Sequence, residues 1–525
     1  MSSKVSPSLS KDRAASPWQR NDAGPSVIRT DDPTFARLVG LIGAGFMLLG
    51  GLPFVLAGSG RATFVGPGIA TLLLSAGILG LLFHAAFDWD VQFRRIYMVF
   101  GFVVFGLGVL LAVLPYPDHA GDQFLKGFVC LLLALLFLLA FLRNEDDPWM
   151  RNVTLTFLGA AAAVMAVVGL FGGNIKGEFL MPYGVLLGLL GLAYGTAFIM
   201  GRGISEDWGH RAGLIMGGLG VLVLVVALGR SALPPLFDNF GWLSSPPEKY
   251  LVPSGLLLVL LGAFYALTAL GLCSDNRLVV LTVRELGAQF CSPIAYMVLF
   301  AFVLAHWMAY GMYLGQMVDR TGNPIPIQEP MITGFILQWL AVIFTIVLVP
   351  VLTMRLVSEE KRSGTIEVLL TAPVEEGSVV LSKFLAAWLM FLFMWLPFLL
   401  FLIALRIDGG QPFDYRPLFS FFTGLCITGA GFVSMGVFFS SLTRNQIISV
   451  VLTIAGMLFL MMTYMLQGLF DESVWANVFK HMSFIDVWFD TLKGNLVPLR
   501  LLFFGSMAIF FLFVSVKVLE ARKWA

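Results

Sequence analysis

The sequence predicts an all-α, polytopic membrane protein with about 14 transmembrane helices, eight followed by six. Two observations carry this prediction. The 525 residues are 58% hydrophobic and only 12% charged, whereas soluble domains carry about a quarter charged residues. Long apolar runs also recur along the chain with short polar connections, and each run is close to the ~20 residues that a helix needs to cross a bilayer. The net charge of +1 provides no bulk attraction to nucleic acid.

Residues 1–35 are rich in Ser, Pro, Asp and Arg and lack apolar periodicity, so we predict a disordered cytoplasmic tail. No cleavable signal peptide is evident, because the first apolar run follows this polar stretch. Residues 36–273 then form an eight-helix membrane domain whose role the sequence does not define. Its apolar runs lie at 36–58, 65–87, 96–115, 124–142, 153–173, 180–200, 212–230 and 251–273.

Lysine and arginine set the orientation of these eight helices. Basic pairs occupy alternate connections: Arg94 and Arg95, Arg143 and Arg151, and Arg202 and Arg211. Because basic residues favour the cytoplasmic side, this pattern places the N-terminus in the cytoplasm and returns the chain there near Ser274. The helices are rich in Gly and Ala, which let membrane helices approach closely.

No stretch of the sequence predicts catalysis or metal binding by this chain. No Gly-Lys pair occurs, so a Walker A phosphate loop is absent. The four cysteines are far apart and show neither disulfide nor metal spacing. Two acidic groups, Asp88 with Asp90 and Glu145–Asp147, sit beside arginines and are interpreted as solvated loop charge. We therefore predict that the chain is not an enzyme and binds no cofactor.

Residues 278–291 form a predicted amphipathic helix within a segment, 274–292, at the membrane interface. Val279, Val283, Leu286 and Phe290 share one face, and Arg284, Glu285, Ala288 and Gln289 lie opposite. Such a helix is suited to lying in the interface. Pro293 ends it and begins the next span.

Residues 293–525 hold six predicted spans and one polar stretch, Arg355–Glu376. The spans are placed at 293–315, 332–354, 378–405, 416–441, 446–468 and 499–517. Within the polar stretch, four consecutive charges, Glu359 to Arg362, cannot enter hydrocarbon without a large cost. Gly364 then breaks the chain, and Thr365 is a predicted N-cap for about two turns of helix with Glu367 in its first turn.

Two sequences in this half carry a family resemblance. MRLVSEEKRSGTIEVLLTAPV, residues 354–374, and RELGAQFCSPIAYMVLFAFVL, residues 284–304, resemble ABC-2-type exporter permeases of the gliding-motility and nitrous-oxide-operon kinds. The resemblance covers Leu278–Ala525. It implies an interfacial "elbow" helix before the first of these spans and a cytoplasmic "coupling" helix that meets an ATPase subunit.

The resemblance also implies roles for particular residues. The coupling residues are Glu359, Glu360, Lys361, Arg362, Gly364, Thr365, Ile366, Glu367, Leu369 and Leu370. The elbow residues are Arg284, Glu285, Phe290, Ser292 and Pro293. The long connection Gly468–Pro498 is similar to the partly re-entrant segment that precedes the last helix in this family, and we expect it to pack over the bundle.

The implied function is that of a permease subunit in an ATP-driven exporter of the inner or plasma membrane, with both termini cytoplasmic. Its expected partners are ABC ATPase subunits that bind ATP and Mg²⁺, a second permease copy or paralogue, and membrane lipids. Two alternatives stay open. A proton-coupled carrier would need a buried carboxylate in its spans, and a membrane-embedded lipid-modifying enzyme would need clustered Asp, Glu or His at one interface.

Overall fold

The structure is a computed structural model, and every regular element among the residues it describes is a helix. These are 34–58, 67–88, 90–113, 120–145, 147–172, 183–203, 207–240, 253–290, 292–316, 339–365, 375–398, 401, 416–470 and 474–523. They divide into two compact units. The first unit comprises the described residues of 1–229 and 257–273, and the second those of 230–256 and 274–525.

Each of the fourteen predicted spans contains a helix, which confirms the all-α fold class. The helices of the N-terminal half are α1 Thr34–Gly58, α2 Pro67–Phe87, α3 Val91–Val113, α4 Ala120–Asn144, α5 Pro148–Phe171, α6 Val185–Arg202, α7 Asp207–Asn239 and α8 Pro253–Cys273. Proline begins α2, α5 and α8, where its missing N–H costs nothing.

Among its described residues the C-terminal half holds ten α-helices and one 3-10 helix, Gln467–Leu469. The α-helices are α9 Arg277–Phe290, α10 Pro293–Gln316, α11 Trp339–Thr353, α12 Ser358–Ser363, α13 Glu376–Met394, α14 Arg416–Leu442, α15 Gln446–Leu466, α16 Val474–Met482, α17 Phe484–Leu492 and α18 Pro498–Lys523. Asn445 and Ser483 cap α15 and α17 through side-chain oxygens that accept backbone N–H bonds.

Within the described residues, 12 helices are long and apolar enough to cross a membrane. The consecutive pair Leu257–Cys273 and Arg277–Phe290 raises the number to 13 if it forms one span. The apolar stretch of α2, Leu72–Phe87, is shorter. The six spans predicted after residue 293 all belong to the 12, whereas the total of 14 crossings stays a prediction.

The first unit is a tandem array of helical hairpins with one recurring contact. A glycine on the first helix of each pair lies so close to the second that an added Cβ would meet a backbone carbonyl oxygen and the amide nitrogen four residues later. The contacts are Gly50 with Ala70 and Leu74, Gly108 with Gly127 and Leu131, Gly169 with Gly184 and Gly188, and Gly220 with Gly262 and Ala266. Such glycines allow close helix packing in a membrane.

Polar contacts repeat at a regular interval along the first three hairpins. Arg37 pairs with Asp88 at 3.2 Å. Arg94 follows Arg37 in the sequence at the same interval at which Glu145 follows Asp88, and Arg94 and Glu145 pair at 3.8 Å. Arg151 follows Arg94 at that interval again, and it donates from Nη2 to the carbonyl of Gly201 at 2.9 Å. An arginine near the start of each of three hairpins thus bonds to the end of that hairpin.

The even-numbered helices of the first unit connect one hairpin to the next. The Asn144 amide at the end of α4 donates to the Ala86 carbonyl of α2 at 3.1 Å. The Tyr194 hydroxyl of α6 donates to the Leu131 carbonyl of α4 at 2.7 Å. The Tyr265 hydroxyl of α8 donates to the Gly188 carbonyl of α6, also at 2.7 Å. The two accepting residues, on α4 and α6, are separated by the same interval as the arginines, although the two donating tyrosines are not.

The second unit has a core of aromatic side chains from α13, α14 and α17. Trp395 and Trp488 are fully buried and meet edge to face, with ring centroids 5.6 Å apart. The Trp488 indole N–H donates to the hydroxyl of Thr428 at 3.1 Å, so its one polar group is satisfied. In the connection expected to pack over the bundle, α17 is part of this core and α16 has no buried residue.

Candidate functional site

The candidate site is the charged segment Arg355–Thr365 and the helix ends against which it packs. α11 ends at Thr353, and a turn connects it to the short helix α12, Ser358–Ser363. Pro350 lies inside α11 and lacks the N–H that would continue the ladder of hydrogen bonds. Four predicted coupling residues, Ile366, Glu367, Leu369 and Leu370, lie outside the described residues.

A serine of α14 holds the start of α12. The backbone N–H groups of Val357 and Ser358 donate to the Ser440 hydroxyl at 3.2 and 3.1 Å. That hydroxyl donates in turn to the Met354 carbonyl at 3.2 Å. The first N–H groups of a helix have no partner within it. Val357, the residue at the N-cap position, has no side-chain cap bond, so Ser440 takes that role from another helix.

Lys361 points into the unit. Its side chain is 5% exposed, and its ammonium donates to the backbone carbonyl of Ser441 near the end of α14. The last carbonyls of a helix carry partial negative charge, which favours a cation there. Lys361 is therefore an anchor of α12 on α14.

Glu360 also faces inward. One of its carboxylate oxygens lies 2.6 Å from the Lys383 ammonium of α13. The same ammonium lies 3.0 Å from a carboxylate oxygen of Glu285, on the predicted elbow helix α9. Lys383 is 3% exposed. The structure thus brings a predicted elbow residue and a predicted coupling residue onto one buried lysine.

The other members of the charged segment lie at its surface. Glu359 accepts two bonds from the Arg355 guanidinium, at 2.7 and 2.9 Å, and both side chains are partly exposed. Arg362 is exposed. Gly364 ends α12 with φ of 75°, in the left-handed region that glycine adopts without penalty. The Thr365 hydroxyl lies 2.9 Å from the Ser363 hydroxyl.

The remaining elbow residues lie where α9 gives way to α10. Arg284 is exposed and Glu285 partly so. The Phe290 ring meets Phe393 of α13 edge to face at 5.2 Å between centroids. The Ser292 carbonyl accepts from the N–H of Ala295 at 3.1 Å, and Pro293 begins α10.

Lys383, Ser440 and Ser441 were missed in the sequence. The signal for Lys383 was available, because a lone lysine in the apolar run LSKFLAAWLM is costly in a membrane and demands a partner. Its partners are 98 and 23 residues away in sequence, so spacing alone could not identify them. No sequence pattern indicates the two serines, because Ser440 binds the backbone of other residues and Ser441 acts through its own backbone carbonyl.

The two acidic groups of the first unit, which the sequence suggests are solvated loop charge, each contain a buried carboxylate. Asp88 is buried, and it lies 2.9 Å from His84 Nε2 and 3.2 Å from Arg37. Burial raises the pKa of Asp88, but the backbone N–H of Asp90, the Arg37 guanidinium and His84 outweigh it and lower this pKa below its usual value of 3.8. Glu145 is also buried and faces Arg94.

These buried pairs do not form a metal centre. Over the part of the chain that the structure describes, no group of three or more His, Cys, Asp and Glu side chains is placed to hold a metal ion.

Comparison with known proteins agrees with the resemblance in the C-terminal half. A family model described as "ABC-2 family transporter protein" matches residues 126–486, more than half of the chain. The match extends into the first unit and covers both the α9 and α12 segments. No curated protein matches the chain, and no solved structure matches it. With its multi-pass helical fold and this match, the chain belongs to the ABC-2 family of transporter proteins and is a membrane permease of the ABC transporter type.

Proposed function

We propose that this chain is the membrane subunit of an ATP-driven exporter, and that the segment 355–370 transmits force from a separate ATPase subunit. The observation that carries the proposal is the division of α12 into two sides. Lys361 and Glu360 fix one side to α14 and α13, while Glu359 and Arg362 remain at the surface. A segment that is attached firmly and still presents charge is suited to receive a partner.

The surface residues have distinct proposed roles. Glu359 and Arg362 provide charge complementarity, which fixes the register of an interface more than its affinity. Gly364 and Thr365 set the direction in which the chain leaves α12. The apolar residues Ile366, Leu369 and Leu370 are the proposed contacts with an apolar cleft on the ATPase, and Glu367 adds a negative charge to the same surface.

The rest of the proposal concerns the assembly. Six spans form half a transporter in this family, so we propose a second permease copy or paralogue and two ATPase subunits, which bind ATP and Mg²⁺. The charged segment and both termini then lie in the cytoplasm of a cell whose inner or plasma membrane holds the protein. The outer surface contacts membrane lipids.

A proton-coupled carrier has less support. Among the described residues, the buried carboxylates are Asp88 and Glu145. Each lies beside an arginine at a helix end, Arg37 and Arg94 respectively. A carrier of this kind needs a carboxylate within its spans, and these two lie just outside the apolar helices Leu72–Phe87 and Gln123–Asn144.

Charge reversal at Arg362 tests the proposal. In Arg362→Glu we expect loss of co-purification with the ATPase subunits, because the new charge repels the surface that the arginine matched. Lys493→Glu is the matched control, since Lys493 is also exposed but lies in the connection between α17 and α18. Equal ATPase recovery with Arg362→Glu and the unsubstituted protein would overturn the assignment of this surface.

A further inference from the structure

Lys383 is an unusual residue for its position. It lies in the span Glu376–Phe398, one of the apolar helices long enough to cross a membrane, yet it carries a charge and is 3% exposed. Burying an ammonium group without a partner is strongly unfavourable. Two carboxylates offset this cost by pairing with the ammonium, those of Glu285 at 3.0 Å and Glu360 at 2.6 Å.

The two partners belong to segments that are otherwise attached to different helices. α9 packs on α13 through Phe290, whose ring meets Phe393, and through Leu286 in the same apolar cluster. α12 is anchored on α14 through Ser440 and through the bond from Lys361 to Ser441. α13 and α14 also pack on each other, and the Trp388 indole N–H donates to the Cys426 carbonyl at 2.9 Å. The contact of Lys383 with Glu285 and Glu360 adds the direct polar link between α9 and α12.

We propose that Lys383 is the positioning residue that makes the elbow helix α9 and the coupling segment α12 move as one body. The proposal rests on the proposed function, because the motion it transmits is the one that the ATPase imposes on α12. A displacement of α12 pulls the Glu360 carboxylate, the ammonium follows, and α13 carries α9 with it. The elbow helix is thus a driven part of the transporter.

The charge balance explains why a lysine is needed. Without the ammonium, Glu285 and Glu360 face each other as two anions, and like charges in a partly buried site repel. The neighbouring charged side chains do not take the place of this ammonium. Glu359 bonds to Arg355, Lys361 bonds to Ser441, and Arg284 is exposed. An arginine keeps the positive charge and its ability to bind both carboxylates.

The first test uses hydrogen exchange in the purified chain and needs no ATPase. In Lys383→Met, which keeps an apolar stem of similar length, we expect the amides of α9 and α12 to exchange about tenfold faster or more, because two carboxylates lose their shared cation. Lys383→Arg should restore slow exchange. Lys517→Met is the matched control, since Lys517 forms an exposed pair with Glu520 on its own helix.

The second test measures the motion itself in the complex with its ATPase subunits. Spin labels at Ala288, exposed on α9, and at Lys493, exposed in the connection between α17 and α18 and outside the anchors of α12, report the movement of the elbow helix. Trapping with ATP and vanadate should change this distance in the unsubstituted chain and in Lys383→Arg but not in Lys383→Met. Glu360→Gln should also abolish the change, and this variant supports the conclusion if Lys383→Met fails to fold.

The outcomes separate the two proposals. If the ATPase does not co-purify with the unsubstituted chain, the proposed function fails, and the exchange measurement still decides whether Lys383 joins α9 to α12. If the ATPase binds and the elbow helix moves in Lys383→Met as it does in the unsubstituted chain, the role of Lys383 is overturned. Unchanged exchange of α9 and α12 in Lys383→Met overturns it as well.

Discussion

The hydroxyl of Ser440 accepts a hydrogen bond from the backbone N–H of Ser358 at 3.1 Å, so α14 supplies the cap that α12 lacks. The same hydroxyl accepts from Val357 and donates to Met354. One buried oxygen therefore fixes the turn between α11 and α12. The direction of the charged segment depends on this serine.

Replacement of Ser440 by alanine should loosen α12 without disturbing the rest of the unit. Two N–H groups lose their acceptor, and loss of a cap or of a buried hydrogen bond costs about 1–2 kcal/mol. Hydrogen exchange at residues 357–363 should rise accordingly. Ser506→Ala, at an exposed serine that bonds only within α18, is the control, and equal exchange in the two variants would refute the capping role.

Gly364→Ala should cost about 1 kcal/mol of stability in the charged segment, because an alanine at φ of 75° is strained. A Cβ at this position meets nothing within 4 Å, so the whole effect is one of backbone conformation. Gly505→Ala provides the comparison. Its Cβ also meets nothing within 4 Å, but it lies in α18, where alanine is the better helix former. Thermal unfolding in detergent should show opposite signs for the two variants, and equal signs would contradict this account.

Gly169→Ala should separate α5 from α6. The added Cβ would overlap the backbone nitrogen of Gly188, and a backbone atom cannot move aside as the end of a flexible side chain would. Overpacking of this kind costs about 1–3 kcal/mol. The melting temperature should fall, whereas Gly106→Ala, where the new methyl meets nothing within 4 Å, should leave it unchanged or raise it. An unchanged melting temperature for Gly169→Ala would contradict the close contact between Gly169 and the backbone of Gly188.

The pH dependence of the first unit should reflect Asp88. Its pKa lies below the usual 3.8, so the ionised form contributes stability that is complete above about pH 5 and is lost as the pH falls through the folded-state pKa. Asp88→Asn removes this contribution. The difference in melting temperature between the unsubstituted chain and Asp88→Asn should therefore be constant above about pH 5 and shrink below about pH 4. A constant difference over that whole range would contradict the ion pair with Arg37.

The fold class was predictable because membrane helices follow from apolar length and composition alone. Each apolar run from 36–58 to 499–517 contains a helix, and the family match confirms the resemblance drawn from the segments around Arg284 and Glu359. A bilayer demands internal hydrogen bonding, and this restricts the chain to helices wherever it is apolar.

The details of the site were less predictable because they depend on contacts between distant residues. The four charged residues from Glu359 to Arg362 are consecutive, and nothing in the sequence separates buried from exposed members, yet Glu360 and Lys361 point inward. Only the positions of Lys383 and Ser441 distinguish them. The burial of Asp88 is not predictable for the same reason, since the arginine that pairs with it is 51 residues away.

The regular repeat of hairpins in the first unit bears on how this chain could have grown. If a hairpin contributes two spans, copying it leaves every later helix in its original orientation, including the segment that carries Glu359 and Arg362. Copying a single helix would have inverted them all. Gene duplication could therefore lengthen the N-terminal half pair by pair without exposing the charged segment to the wrong side of the membrane.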